Sequence, residues 1–170
     1  MVDLAKAERT TEAETIELSS ALSELFPLLE ALAPSNIELL VESDENLHAA
    51  LGRIAFDQLV LNLTSNAIYA TKNTGLVRIE LRENDESNVA TLTVADNGVG
   101  IPQEKLPNIF EPFYTSKGQE GSGIGLMTVK SIIDSIDGTI SVSSTPGSGT
   151  TFTIDIPLIT TGDQTKIETK

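Results

Sequence analysis

Apolar and polar positions change period several times along this chain, and each change marks an element. "TIEL" (15–18) reads as a short strand, and Ser19 or Ser20 is placed to cap a helix that runs to about Ala33 with Leu22, Leu25, Phe26, Leu29 and Leu32 on one side. Pro34 stops it. "NIELLVES" (36–43) predicts a strand, and "LHAAL" (47–51) is either a short strand or a lead-in to the next helix. From about Arg53 to Thr71 the apolar residues Phe56, Leu59, Val60, Leu63, Ala67 and Ala70 recur every three or four positions, which predicts a second core helix. "LVRIELREN" (76–84) and "VATLTVAD" (89–96) alternate around a polar "NDES", the pattern of an antiparallel hairpin with one buried face. Residues 103–122 predict a mobile lid-like loop with a short turn of helix, followed by a third helix from about Gly123 to Ile136. "TISVSST" (139–145) and "TTFTIDIP" (150–157) then read as two strands joined by the turn "PGSG". The sum is a two-layer α/β (α+β) sandwich: a mixed, mainly antiparallel sheet of about five strands with three helices on one face. The domain is expected over 15–157, with 1–14 as a linker or the end of a preceding helix and the Thr-rich, charged 158–170 as a disordered tail.

Composition narrows what such a domain binds. With 170 residues, 39% of them hydrophobic, the chain is long enough for one packed core. A formal net charge of −14 argues against DNA, RNA and anionic membrane surfaces as partners, because like charges repel over a screening length. An anionic ligand would therefore need local cations or a metal to hold it. The absence of cysteine excludes disulfides, thiolate metal sites and a cysteine nucleophile, and His48 is the only histidine. No apolar stretch approaches the roughly 20 residues that span a bilayer, and the start "MVDLAKAERTTEAET" lacks the apolar region of a signal peptide. A cytoplasmic location is expected, for a complete protein or for a soluble piece of a larger one.

Four stretches hold candidate chemistry, each with a bland alternative. "NLTSNAIYAT" (62–71) puts Asn62 and Asn66 one turn apart on the second helix, either at a solvated edge or as oxygen ligands for a hard cation such as Mg²⁺. "DNGVGIP" (96–102) ends a buried strand on Asp96, either as a plain turn or as a carboxylate that accepts from an exocyclic amine, with Gly98 and Gly100 letting a flat base approach. "GSGIGL" (121–126) sets Gly121, Gly123 and Gly125 before the third helix, either as a hinge or as a cradle of backbone N–H groups for phosphates. "IFEPFYTSK" (109–117) concentrates aromatics in a chain with only 4% of them; these anchor the loop or close over a ligand to which Lys117 brings positive charge.

In order and spacing, "NLTSNAIYA", "DNGVGIP", "IFEPFYTSK", "GSGIGL" and "GTTFTIDIP" resemble the N, G1, F, G2 and final glycine boxes of the catalytic ATP-binding domain of sensor histidine kinases, within the GHKL ATPase superfamily. The resemblance covers about Thr15 to Pro157. It implies ATP and Mg²⁺ as cofactors, with Asn66 matching the metal ligand and Asn62 standing where the superfamily's hydrolases have a glutamate base. An amide cannot take a proton from water, so transfer to a supplied nucleophile is expected rather than strong hydrolysis. The resemblance further assigns Asp96, Gly98, Gly100 and Ile101 to the base, Phe110, Phe113 and Lys117 to the lid, Gly121, Ser122, Gly123, Ile124, Gly125 and Leu126 to the phosphates, and Thr151 to the last box. Tyr69 stands where many members have a basic residue, and Lys72, a turn later, is its candidate substitute. His48, in "ENLHAALG", lacks the acid that follows the family's acceptor histidine. The implied partners are therefore a dimerisation and histidine-phosphotransfer domain of the same protein, missing from this chain, and a response regulator receiver domain. The domain alone is expected to be a monomer and the whole protein a homodimer. The alternatives are a nucleotide-dependent regulatory module, as in pseudokinases or anti-sigma-like proteins, and a GHKL ATP hydrolase.

Overall fold

A computed structural model describes residues 14–72, 74–84, 86–113 and 123–159. The chain runs β1 (Thr15–Glu17), α1 (Leu18–Leu32), β2 (Ile37–Ser43), β3 (His48–Ala50), α2 (Arg53–Ala70), β4 (Gly75–Asn84), β5 (Val89–Asp96), a 3₁₀ helix (Gln103–Asn108), α3 (Gly125–Ser135), β6 (Thr139–Thr145) and β7 (Gly149–Pro157). Five strands form one sheet in the order β2-β4-β5-β7-β6, and β1 pairs with β3 in a separate two-stranded ribbon. All the pairs are antiparallel except β2 with β4. That parallel pair follows from the connection: β2 returns to β4 through α2, and a helical crossover brings the chain back in the same direction.

Period-2 alternation fixes one buried face. Val77, Ile79 and Leu81 of β4, Ala90, Leu92 and Val94 of β5, and Phe152, Ile154 and Ile156 of β7 are all buried. Against them lie Phe56, Leu59, Val60, Leu63 and Ala67 of α2, Leu18, Leu22, Leu25 and Leu29 of α1, and Val129 and Ile133 of α3, in one continuous core. At about 25 cal/mol per Å² of apolar surface, burial on this scale is what holds the two layers together. β5 is the middle strand, so the acid at its end is carried by the most constrained element of the sheet.

Two expectations about α1 change. Leu32, at its last turn, is exposed, because the helix ends there before Pro34 and has nothing further to pack on. The N-cap is Glu17, not Ser19 or Ser20: its carboxylate accepts Ser19 N–H at 3.2 Å and Ser20 N–H at 2.6 Å, and it reaches across to Leu47 N–H at 3.1 Å. Burial alone would raise the Glu17 pKa, but hydrogen bonds from Ser19 and Ser20 outweigh it and hold the carboxyl at about 2. "LHAAL" forms the short strand β3, not a lead-in to α2. The third helix begins at Gly125, two residues later than its pattern suggests. Beyond β7, Leu158 N–H donates to Asn88 O and Ile159 N–H to His48 O, so those two residues are held; the remainder of the expected tail lies outside the described residues, as does most of 1–14.

Candidate functional site

Helix α2 organises the site. Asn62, Asn66 and Ala70 are spaced four apart, a stripe of about 12 Å along one edge of the helix. At one end, a Cβ on Gly125 would lie 3.2 Å from Asn62 Oδ1, so the start of α3 packs directly on Asn62. At the other end Val99 N–H donates to Ala70 O at 3.0 Å, and a Cβ on Gly98 would run into that same carbonyl. Two glycine motifs far apart in sequence thus sit at the two ends of one helix edge, with Asn66 between them.

Asp96 shares the parity of Ala90, Leu92 and Val94, so it projects from the helix-covered face of the sheet. Its carboxylate accepts Gly98 N–H at 2.8 Å and the backbone N–H of Thr150, its partner across the ladder. Burial pushes the Asp96 pKa above the ordinary value, and those two N–H groups offset the push only in part. Asn97 continues the ladder one step: its N–H donates to Leu76 O at 3.3 Å and its Oδ1 accepts Leu76 N–H at 2.9 Å.

The glycines of this loop also make room for the protein's own backbone. Gly98 is needed for contact with Ala70, and Gly100, at φ +69°, would place a Cβ 3.0 Å from Pro146 Cα and against the Thr145 carbonyl. Both let the loop seat on the protein's own backbone. Thr151 also departs from expectation. The rung of Asp96 is occupied by Thr150, which is buried with Phe152 and Ile154, whereas Thr151 pairs with Ala95 and points to the opposite face. Side chains alternate along a strand, so a one-residue offset changes the face.

Of the loop aromatics, Phe110 packs edge-on against Phe152, with ring centroids 6.4 Å apart, while Phe113 is 76% exposed with φ +62°. Phe113 N–H donates to Gly123 O at 3.1 Å. Lys117, Gly121 and Ser122 lie outside the described residues. Ile124 precedes α3, no side chain among the described residues caps that helix, and no acid occupies its first turn. Its leading N–H groups therefore suit an anion. Leu126 packs on the core, and Ile101 N–H donates to Ser144 Oγ at 2.7 Å. Tyr69 is exposed three residues after Asn66, and Lys72 is exposed just past the helix C-cap at φ +59°. The pattern missed Thr150, Asn97 and Ser144. Only Thr150 had a legible signal, the parity it shares with Phe152.

Residues 52–160 match the family model described as histidine kinase-, DNA gyrase B-, and HSP90-like ATPase. The autoinducer 2 sensor kinase/phosphatase LuxQ of Vibrio parahaemolyticus is 35% identical over 133 residues, 72% of this chain and 15% of that protein. The sensor histidine kinase TmoS of Ectopseudomonas mendocina is 34% identical over 171 residues, covering 93% and 17%. ZraS of Salmonella typhimurium, also a sensor histidine kinase, is 34% identical over 165 residues, covering 94% and 34%. The chain spans between 15% and 34% of the length of these relatives. Among solved structures, the mycobacterial sensor histidine kinase MprB matches with a TM-score of 0.76 at 25% identity, over 86% of this chain and 97% of that one. The nucleotide-free catalytic domain of the histidine kinase ThkA gives 0.73 at 29% identity, over 85% and 94%.

Proposed function

Since the chain belongs to the histidine kinase-, DNA gyrase B- and HSP90-like ATPase family, we propose that it is the ATP-binding catalytic domain of a sensor histidine kinase. It donates the γ-phosphoryl group of ATP to a histidine on a dimerisation domain outside this chain, for relay to a response regulator. The observation that supports this best is the α2 edge: an acid-tipped loop at one end, a helix N-terminus with no side-chain cap among the described residues at the other and an amide between them match a base, a polyphosphate and the oxygens that join them.

Each residue has a separable task in this reading. Asp96 accepts from an exocyclic amine, and its partial burial strengthens that hydrogen bond. The leading N–H groups of α3 receive phosphate oxygens, which offsets the repulsion expected from a chain of net charge −14. Asn66 offers an amide oxygen to a cation. Among the described residues no cluster of three acidic or histidine side chains could hold a metal unaided, so the cation would share the nucleotide's own phosphates, a donor set that suits Mg²⁺. Mg²⁺ bound there would neutralise phosphate charge. Asn62 packs against Gly125 and cannot act as a base toward water, which favours transfer to a supplied imidazole over hydrolysis.

The test joins this chain to a dimerisation and histidine-phosphotransfer domain and incubates it with ATP labelled at the γ-phosphate. Acid-labile, base-stable label on a histidine is expected. Bound ATP with no labelled histidine would replace the kinase by a nucleotide-dependent switch, and rapid release of free phosphate would replace it by a hydrolase.

A further inference from the structure

We propose that Ser144 is a positioning residue for the base-binding end of the site, where its hydroxyl fixes the direction of the Thr150 proton. The inference rests on the reading of that end as an adenine subsite. Ser144 of β6 and Thr150 of β7 are cross-strand partners on the helix-covered face, each 4% exposed. Ser144 Oγ lies 2.7 Å from Ile101 N, 2.9 Å from Gly149 O and 2.9 Å from Thr150 Oγ1.

A hydroxyl has one proton to give and two lone pairs to fill. The Gly149 carbonyl only accepts, so the Ser144 proton goes there. Ile101 N–H fills one lone pair. The remaining contact is then donated by Thr150, and Ser144 is left with no spare capacity. The backbone N–H of Thr150 is already given to the Asp96 carboxylate. Both protons of Thr150 are therefore committed, and its Oγ1 retains acceptor character on the rung occupied by Asp96. Two neighbouring acceptors suit an exocyclic amine, which brings two protons, and disfavour the carbonyl that guanine has in the same place. Ser144 also ties Ile101, at the end of the Asp96 loop, to the β6–β7 hairpin. Removing its hydroxyl would unseat the loop and free the Thr150 proton to turn toward a keto oxygen.

The experiment measures ATP and GTP affinities of the full 170-residue chain, with thermal melting, for the wild type, Ser144→Ala, Thr150→Val and the double variant. Ser144→Ala should weaken ATP roughly tenfold, the loss of one or two net hydrogen bonds, and GTP less, so that the ATP-to-GTP preference narrows. Thr150→Val should narrow it as well, and the double variant no further, since both act through one proton. Should Ser144→Ala fail to fold, Thr150→Val decides alone. A preference equal to wild type in either folded variant, or an equal loss for both nucleotides, overturns the proposal. A wild type that binds neither nucleotide, or does not prefer ATP, overturns instead the adenine reading beneath it.

Discussion

Replacing Gly98 by Ala tests whether the Asp96 loop is seated on α2. The added methyl would lie 2.8 Å from Asp96 Oδ1 and closer still to the Ala70 carbonyl, which is backbone and cannot rotate away. The loop must lift, and two hydrogen bonds lengthen with it, Gly98 N–H to Asp96 and Val99 N–H to Ala70. Each is worth about 1 kcal/mol net, and overpacking adds about 1–3 kcal/mol, for a total of roughly 3–5 kcal/mol. For a chain of this size about 1 kcal/mol moves the melting temperature by about 2–4 °C, so a fall of roughly 6–20 °C is expected. ATP affinity should fall at least about tenfold, because the acid is displaced with the loop. Gly147→Ala is the control: an added Cβ there would meet no atom of the described residues within 4 Å, but φ is +79°, so the variant bears only the left-handed strain of about 1–2 kcal/mol and should bind ATP normally. Calorimetric melting and nucleotide titration of the three proteins decide the matter. A Gly98→Ala protein that melts like Gly147→Ala and binds ATP like the wild type would refute the seating of the loop on α2.

Glu17→Ala removes the cap of α1 and should destabilise by about 1–2 kcal/mol at neutral pH. The Glu17 carboxyl is held below its usual value, so its contribution is present above pH 4.5 and lost as pH falls toward 2; the gap between variant and wild type in melting should close across that window. Asp96→Asn should leave the nucleotide-free protein as stable or more stable at pH 7, because the raised pKa means that ionisation of a partly buried acid opposes folding. That contribution is complete below pH 3.8, where Asp96 is protonated folded or unfolded, and is lost as pH rises through the raised value, so the variant's gain should vanish in acid while its ATP binding is lost at every pH. Thr64 is fully buried and its Oγ1 has no hydrogen-bond partner among the described residues, so Thr64→Val should be neutral or stabilising by up to about 1–3 kcal/mol, read from its melting temperature.

Much of the fold was legible because its elements are locally consistent. Periods of 2 and 3.6 located β4, β5, α2 and β7 within a residue or two, and the acid at the end of β5 stood out where an apolar alternation stopped. What stayed hidden depends on partners supplied from elsewhere. Glycine at 98 announces a missing Cβ but not that the space belongs to Ala70. Glu17, which caps α1, also accepts Leu47 N–H, a contact thirty residues away in sequence. Thr150 and Thr151 are chemically alike, and only the ladder register with Asp96 separates them. Ser144 looks like one of several serines in an edge strand until the hairpin and the loop close around it.

In the function proposed above, one nucleotide spans the edge of α2 from the Asp96 loop to the start of α3. A heteronuclear NMR titration of the 170-residue chain with Mg·ATP measures it directly, by following the backbone amides of Gly98 to Ile101 and of Gly125 to Thr128 together with the Asn66 side-chain amide. All three sets should shift along a single saturation curve. Shifts confined to one motif, or two motifs saturating at different nucleotide concentrations, would contradict it.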